Sequence, residues 1–109
     1  MWLYHVWKGQ DHVATTNPSA YPSDSARTAE GLVYDYQAKG TMPIATAEGT
    51  MYVFVESHGD TEPDVHRYQL YKMTKGGEYF YTTNIETKQN YHARVDWAFA
   101  NSGYAGRTQ

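Results

Sequence analysis

Apolar and aromatic positions fall in short runs broken by glycine, proline and small polar residues, a spacing that predicts strands and tight turns rather than long helices. Leu3 to Val6 reads as a strand, Lys8-Gly9-Gln10 as its turn and His12 to Thr15 as the returning strand. Thr16-Asn17-Pro18 reads as a helix or turn start, with Asn17 at the N-cap and Pro18 in the first helical position, where a missing N–H costs nothing. Ser19 to Ser25 has no apolar period, so any helix there is short, and Leu32 to Tyr36 reads as the strand that closes the unit. Further along, Tyr68 to Met73 and Tyr79 to Thr82 form a second hairpin around Lys75-Gly76-Gly77, because paired glycines accept the positive φ of tight hairpins. Thr83-Asn84-Ile85-Glu86 has the form of a capping box opening a helix of two to three turns through Ala93, and Trp97 to Tyr104 is the closing strand. Between the units, Ala38 to Thr50 is small and polar, Met51 to Glu56 is the most β-prone run, and Ser57 to Asp64 reads as a loop.

The two hairpins are one pattern written twice. Leu3 to Asn17 and Leu70 to Asn84, aligned without a gap at an offset of 67, are identical at seven of fifteen positions; chance gives roughly one. The identities are Leu3/Leu70, Tyr4/Tyr71, Lys8/Lys75, Gly9/Gly76, Thr15/Thr82, Thr16/Thr83 and Asn17/Asn84, and Ala26-Arg27 against Ala93-Arg94 keeps the same offset. The expected fold is one mainly β domain over residues 1–109, trefoil-like, a barrel or a sandwich, with a short helix or turn in each repeat. The repeats span 3–34 and 70–104, and 35–69 is a connection or a degenerate third unit.

Composition narrows the chemistry. In a chain of 109 residues, eleven Tyr, three Trp and three Phe supply the bulk of a thin core, predicting one walled by tyrosine rather than filled with leucine. There is no cysteine, hence no disulfide, thiolate metal site or thiol nucleophile. A net charge of −3 with basic residues scattered singly lacks the footprint of a nucleic-acid binder. The first residues have neither a basic n-region nor a long apolar run, so neither a signal peptide nor membrane insertion is expected.

The repeated Tyr-x-Leu-Tyr, Gly-x-Glu-Tyr-Phe-Tyr-Thr-Thr and Trp-x-Phe elements of the second unit, with Leu3-Tyr4, Asp11-His12, Thr15-Thr16 and Ala29-Glu30-Gly31-Leu32 in the first, resemble a family of uncharacterised repeat modules. Their usual form is Tyr-Arg-Leu-Tyr, Asp-His-Phe-Tyr-Thr-Thr, Trp-x-Tyr-Glu-Gly-Ile-Ala, and they occur on secreted and cell-wall-associated bacterial and fungal proteins. The resemblance covers about two-thirds of the chain. It implies a mainly β wall- or glycan-recognition module, secreted or at the cell surface. Trp2 and Gln69 stand where the family has arginine, and within the two repeats the Asp-His and Glu-Gly pairs survive once each, as Asp11-His12 and Glu30-Gly31, so one complete set of family groups is present at most.

Sugar recognition needs an aromatic face against the C–H side of a pyranose and planar polar groups for its hydroxyls. The candidate ligand-binding residues are Trp7, Asp11, His12, Asn17 and Glu30 in the first unit and Glu78, Tyr79, Asn84 and Trp97 in the second, weighed against packing roles for the aromatics and capping roles for the asparagines. Tyr4, Tyr71, Phe80 and Tyr81 are assigned to the core. Of each Thr-Thr pair only one hydroxyl can face a ligand, because adjacent strand residues point to opposite sides; Thr83 is the better candidate for a cap. His58, Asp60, Asp64 and His66 with Glu56 and Glu62 match no recognised metal loop and read as a solvated acidic segment. No catalytic motif is present, and no cofactor is expected. The reading is a lectin-like module for a glycan or cell-wall polysaccharide, not an enzyme, with assembly into homo-oligomers compensating for weak single sites. The alternative is a protein–protein interaction or inhibitor module using the same Tyr and Trp side chains.

Overall fold

A computed structural model of the chain describes residues 1–58 and 65–108. Strands β1 (Trp2–Lys8) and β2 (Asp11–Thr15) form the first hairpin, followed by a one-turn 3-10 helix, Pro18–Ala20, and by β3 (Ala26–Leu32). A second hairpin comprises β4 (Thr41–Thr46) and β5 (Gly49–Phe54); the third comprises β6 (Val65–Lys75) and β7 (Glu78–Thr82), followed by helix α1 (Ile85–Arg94) and by β8 (Ala98–Thr108). The strands pair in the order β2-β1-β3-β8-β5-β4, with β6 joined to β8 and β7 to β6. This antiparallel sheet curls into a nearly closed barrel-like form.

The first and third hairpins share one ladder. Tyr4 to Lys8 pair with Thr15 to Asp11, and Tyr71 to Lys75 pair with Thr82 to Glu78, so all five pairs coincide at the offset of 67. Each turn has two residues. Gly9 takes φ +60° at the first position, as a type II′ turn requires, whereas Gly76 and Gly77 take +57° and +89°, as type I′ requires. The third strands, β3 and β8, also pair alike, with Ala26 opposite Trp7 and Ala98 opposite Thr74, an offset of 72. Both ladders slip at the same point, beside Leu3 and beside Leu70. An extra residue in a bulge turns a side chain out of its regular direction. Here the slip coincides with Glu30 in β3 and Ser102 in β8, both buried. The chain also passes so close to its neighbours here that a Cβ on Gly31 would sit 2.5 Å from that of Ala105, and one on Gly103 2.7 Å from the Phe54 carbonyl oxygen.

Leu3 and Leu70, each fully buried, join Ile44, Met51, Val53 and Tyr81 in the main core. Burying each leucine is worth about 1.5–3 kcal/mol. Met73, Phe80 and Trp97 form a second cluster against Tyr71 and Tyr91. Aliphatic residues thus fill the centre. Phe80 and Tyr81 are core as expected, but Tyr4 and Tyr71 are only half-buried. Tyr81 alone among the tyrosines is fully enclosed; its hydroxyl donates to the Ala45 carbonyl at 2.8 Å, and burial pushes its pKa up to about 12.

Four local expectations are corrected. The closing strand of the first unit is Ala26–Leu32 rather than Leu32 to Tyr36; Tyr34 makes only an isolated bridge to Tyr52. Its partner β1 imposes the extended form on a segment with little apolar pattern. Consequently Ala93-Arg94, in α1, is not the counterpart of Ala26-Arg27, and Gly103-Tyr104 corresponds to Gly31-Leu32. The Ala38 to Thr50 stretch contains β4, which lies at the end of the strand order, where Pro43 is tolerated. The helix cap is Asn84, whose side chain accepts from the N–H groups of Glu86 (2.8 Å) and Thr87 (3.3 Å), while the Thr83 hydroxyl is engaged elsewhere.

Candidate functional site

Where the first and third hairpins meet, aromatic and imidazole rings stack. His5 lies flat between Phe80 (centroids 3.8 Å apart, planes at 4°) and Trp7 (4.3 Å, 23°). His12 stands 5.0 Å from both Phe80 and Trp97, and Tyr91 of α1 meets Phe80 edge-on at 5.1 Å. Nε2 of His5 and Nδ1 of His12 share a hydrogen bond of 2.8 Å. Two imidazolium ions cannot make that bond, because each would present only donors. Burial, and then the neighbouring His12, lower the His5 pKa to about 3. Burial lowers that of His12 too, against the opposing pull of Glu78 and Asp11. The pair is therefore neutral at pH 7.

Beside this stack, between the Gly9-Gln10 and Lys75-Gly76 turns, opens a notch of about 410 Å³ bordered by Trp7, His12, Glu78, Tyr91 and Trp97. The Glu78 carboxylate accepts from the His12 backbone N–H at 3.1 Å, which ties the two hairpins together. Trp97 is buried to 3% exposure, so it gives the notch a ring edge rather than a broad face. Among the described residues, its indole N–H, Nε2 of His12 and the second oxygen of Glu78 have no hydrogen-bond partner.

Of the nine candidates, four meet at this notch: Trp7, His12, Glu78 and Trp97. Asp11 lies on a neighbouring depression with Tyr21 and Pro22 that shares Trp7 and His12 with the notch. Tyr79 borders a shallow surface beside the Gly76-Gly77 turn and meets Tyr81 edge-on. Asn17 is exposed and does not cap its one-turn helix; its side chain accepts from the Ser19 hydroxyl. Asn84 is the cap of α1. Glu30 and Asn84 border a further depression that also includes Trp7.

Glu30 carries a structural duty. Its buried carboxylate accepts from the Thr83 backbone N–H (2.9 Å) and hydroxyl (3.1 Å), and Arg107 donates to the Thr83 hydroxyl (2.6 Å) and the Glu30 carbonyl (3.1 Å). Burial raises the Glu30 pKa, opposed by the Thr83 hydrogen bonds and the Arg107 charge. At the matching bulge of the other unit stands Ser102, and the clamp on Thr15-Thr16 comes instead from Glu48, in the β4–β5 turn, through bonds of 2.6 Å from the Thr15 hydroxyl and the Thr16 N–H. Partial burial pushes the Glu48 pKa up, but the hydrogen bonds from Thr15 and Thr16 outweigh it and lower it. Thr15 and Thr82 each also accept from the backbone N–H two residues on, at 2.9 and 3.0 Å. The paired threonines are thus latches. Glu48 was missed by sequence reasoning; the signal for it was the tetrapeptide Thr-Ala-Glu-Gly, which occurs at 28–31 around Glu30 and again at 46–49 around Glu48, once for each Thr-Thr pair.

Among the described residues there is no grouping of three or more His, Cys, Asp or Glu fit to hold a metal ion. Asp60, Glu62 and Asp64 of the acidic segment lie outside the described residues. Comparison of the chain with protein-family models, with curated proteins and with solved structures found no match.

Proposed function

We propose that this protein is a carbohydrate-binding module whose site is the notch between the first and third hairpins. The carrying observation is that the half-buried Trp7 borders the notch together with Trp97, His12 and Glu78, whose indole N–H, Nε2 and one carboxylate oxygen have no partner among the described residues. A buried donor left without a partner costs about 1–3 kcal/mol, and a sugar hydroxyl placed there removes that cost while its C–H face covers Trp7. The notch is open and small, which suits weak binding that assembly or attachment to a wall polymer strengthens.

Calorimetric titration with soluble cell-wall oligosaccharides, guided by a glycan array, tests the reading. Dissociation constants of about 1 mM or tighter that are lost in Trp7→Ala while the variant keeps the wild-type β-sheet circular-dichroism spectrum are expected. Absence of binding across the array and at millimolar ligand overturns it. A second reading, hydrolysis, draws on the shifted Glu30 and His12 near the same depressions. It predicts turnover of those oligosaccharides. The engagement of Glu30 by Thr83 favours binding instead.

A further inference from the structure

Among the described residues Trp7 borders three depressions, two of them together with Tyr91. Besides the notch of about 410 Å³ these two residues border a second of about 210 Å³, which continues past them to Thr28 of β3, to Glu30 and to Asn84 and Thr87 at the start of α1. The hydrogen-bonded His5–His12 pair stands at the divide, His12 bordering the first depression and His5 the second. We infer that the ligand is a neutral oligosaccharide of at least two rings, which straddles Trp7 and places its second ring against Thr28 and Thr87. This inference rests on the carbohydrate-binding reading above.

The chemistry of the second depression supports an uncharged ring. Among the described residues the hydroxyls of Thr28 and Thr87 have no hydrogen-bond partner, and Asn84 uses only its carbonyl oxygen, in the cap. These groups give and accept hydrogen bonds as sugar hydroxyls do. The Glu30 carboxylate beside them is enclosed and engaged by Thr83 next to Arg107, and Glu78 at the notch is accompanied by Lys75. Neither depression therefore offers a uronic acid a net positive charge to pair with, and an uncharged ring suits both. Each extra ring adds hydrogen bonds and aromatic contact without a second loss of translational freedom, so affinity rises with length until the groove is filled.

The test is calorimetry on the full chain with two length series, one to four units, of a neutral oligosaccharide that binds and of an oligogalacturonate. Wild type should gain about ten-fold in affinity between one unit and two or three of the neutral series, and should not bind the acidic one. Thr28→Val with Thr87→Val, both retaining β-branched shape, should bind the single unit as wild type does and lose the gain, to under two-fold. Because Thr28 is exposed, Thr28→Val alone serves if the double variant fails to fold, and should reduce the gain. A single unit bound as tightly as a tetramer, a variant that keeps the gain, or equal binding of the acidic series overturns this inference and leaves the notch assignment standing. Binding of the acidic series alone overturns this inference, and no binding by any sugar, neutral or acidic, overturns both.

Discussion

A carboxylate that enters a core needs hydrogen-bond donors, and Glu30 receives two from Thr83 at one oxygen while Glu48 serves Thr15 and Thr16 nearer to solvent. The two latches resemble each other in pattern but differ in burial, so their removal should differ in cost. Thr83→Val, which leaves buried Glu30 short of a donor and also orphans an Arg107 donor, should destabilise the fold by about 1–3 kcal/mol; Thr16→Val, whose partner Glu48 is exposed, should cost about 0.5 kcal/mol, the size of a surface change. Urea unfolding of both variants at pH 7 checks the ordering. His5 governs the acid side. Its pKa falls from 6.5 to about 3 on folding, so the unfolded chain binds the extra proton between those values, and stability present above pH 6.5 is lost as pH falls towards 3. His12, also lowered, acts in the same direction, whereas Glu30, raised by burial, disfavours folding as pH rises through 4.5. Replacing His5 by Phe keeps a ring between Trp7 and Phe80. Relative to this variant, wild type should lose stability by up to about 1.4 kcal/mol per pH unit between pH 6 and 4; parallel urea midpoints across that range would refute the assignment.

At the scale of elements, the same Thr-Thr-Asn ends β2 and β7 but leads to a single 3-10 turn in one case and to a ten-residue helix in the other. Pro18 and the unpatterned Ser19 to Ser25 stop the first; Asn84, Glu86 in the first turn and Arg94 in the last support the second. A helix of that length is marginal in isolation, and α1 buries no residue fully; Lys88 over Tyr71 and Phe99, and Tyr91 on the ring stack, hold it in place. Asn84→Ala should therefore cost about 1 kcal/mol and lower the helical circular-dichroism signal. Asn17→Ala, at the residue that caps nothing, should stay within about 0.5 kcal/mol. The turns and hairpins were readable in the chain because glycine pairs and two-residue loops act locally. Strands β3 and β4 have no such local mark, since Ala26-Arg27-Thr28-Ala29 and Thr41-Met42-Pro43 become strands through the partners beside them.

For the whole molecule, Phe80 couples the repeated hairpins, stacking on His5 of one while belonging to the other. Its equivalent at the offset of 67 is Val13, which is only half-buried. Phe80→Ala should cost about 3–5 kcal/mol and weaken any ligand held at the notch, whose His12, Tyr91 and Trp97 walls rest on that ring. Val13→Ala should cost about 1 kcal/mol. Thermal and urea unfolding of the two variants measure this asymmetry between positions that the repeat makes equivalent.

By itself the chain specified a mainly β domain, the shared ladder of two hairpins and the glycine turns that close them, because alternation, turn chemistry and the offset of 67 act over neighbouring residues. It also nominated Trp7, His12, Glu78 and Trp97. Only tertiary structure decided that these four converge while Asp11, Asn17 and Tyr79 lie elsewhere, that Glu30 and Glu48 latch threonines, and that a histidine pair stays neutral. Those outcomes depend on which distant strands lie side by side and how much water they exclude, and no local pattern records either.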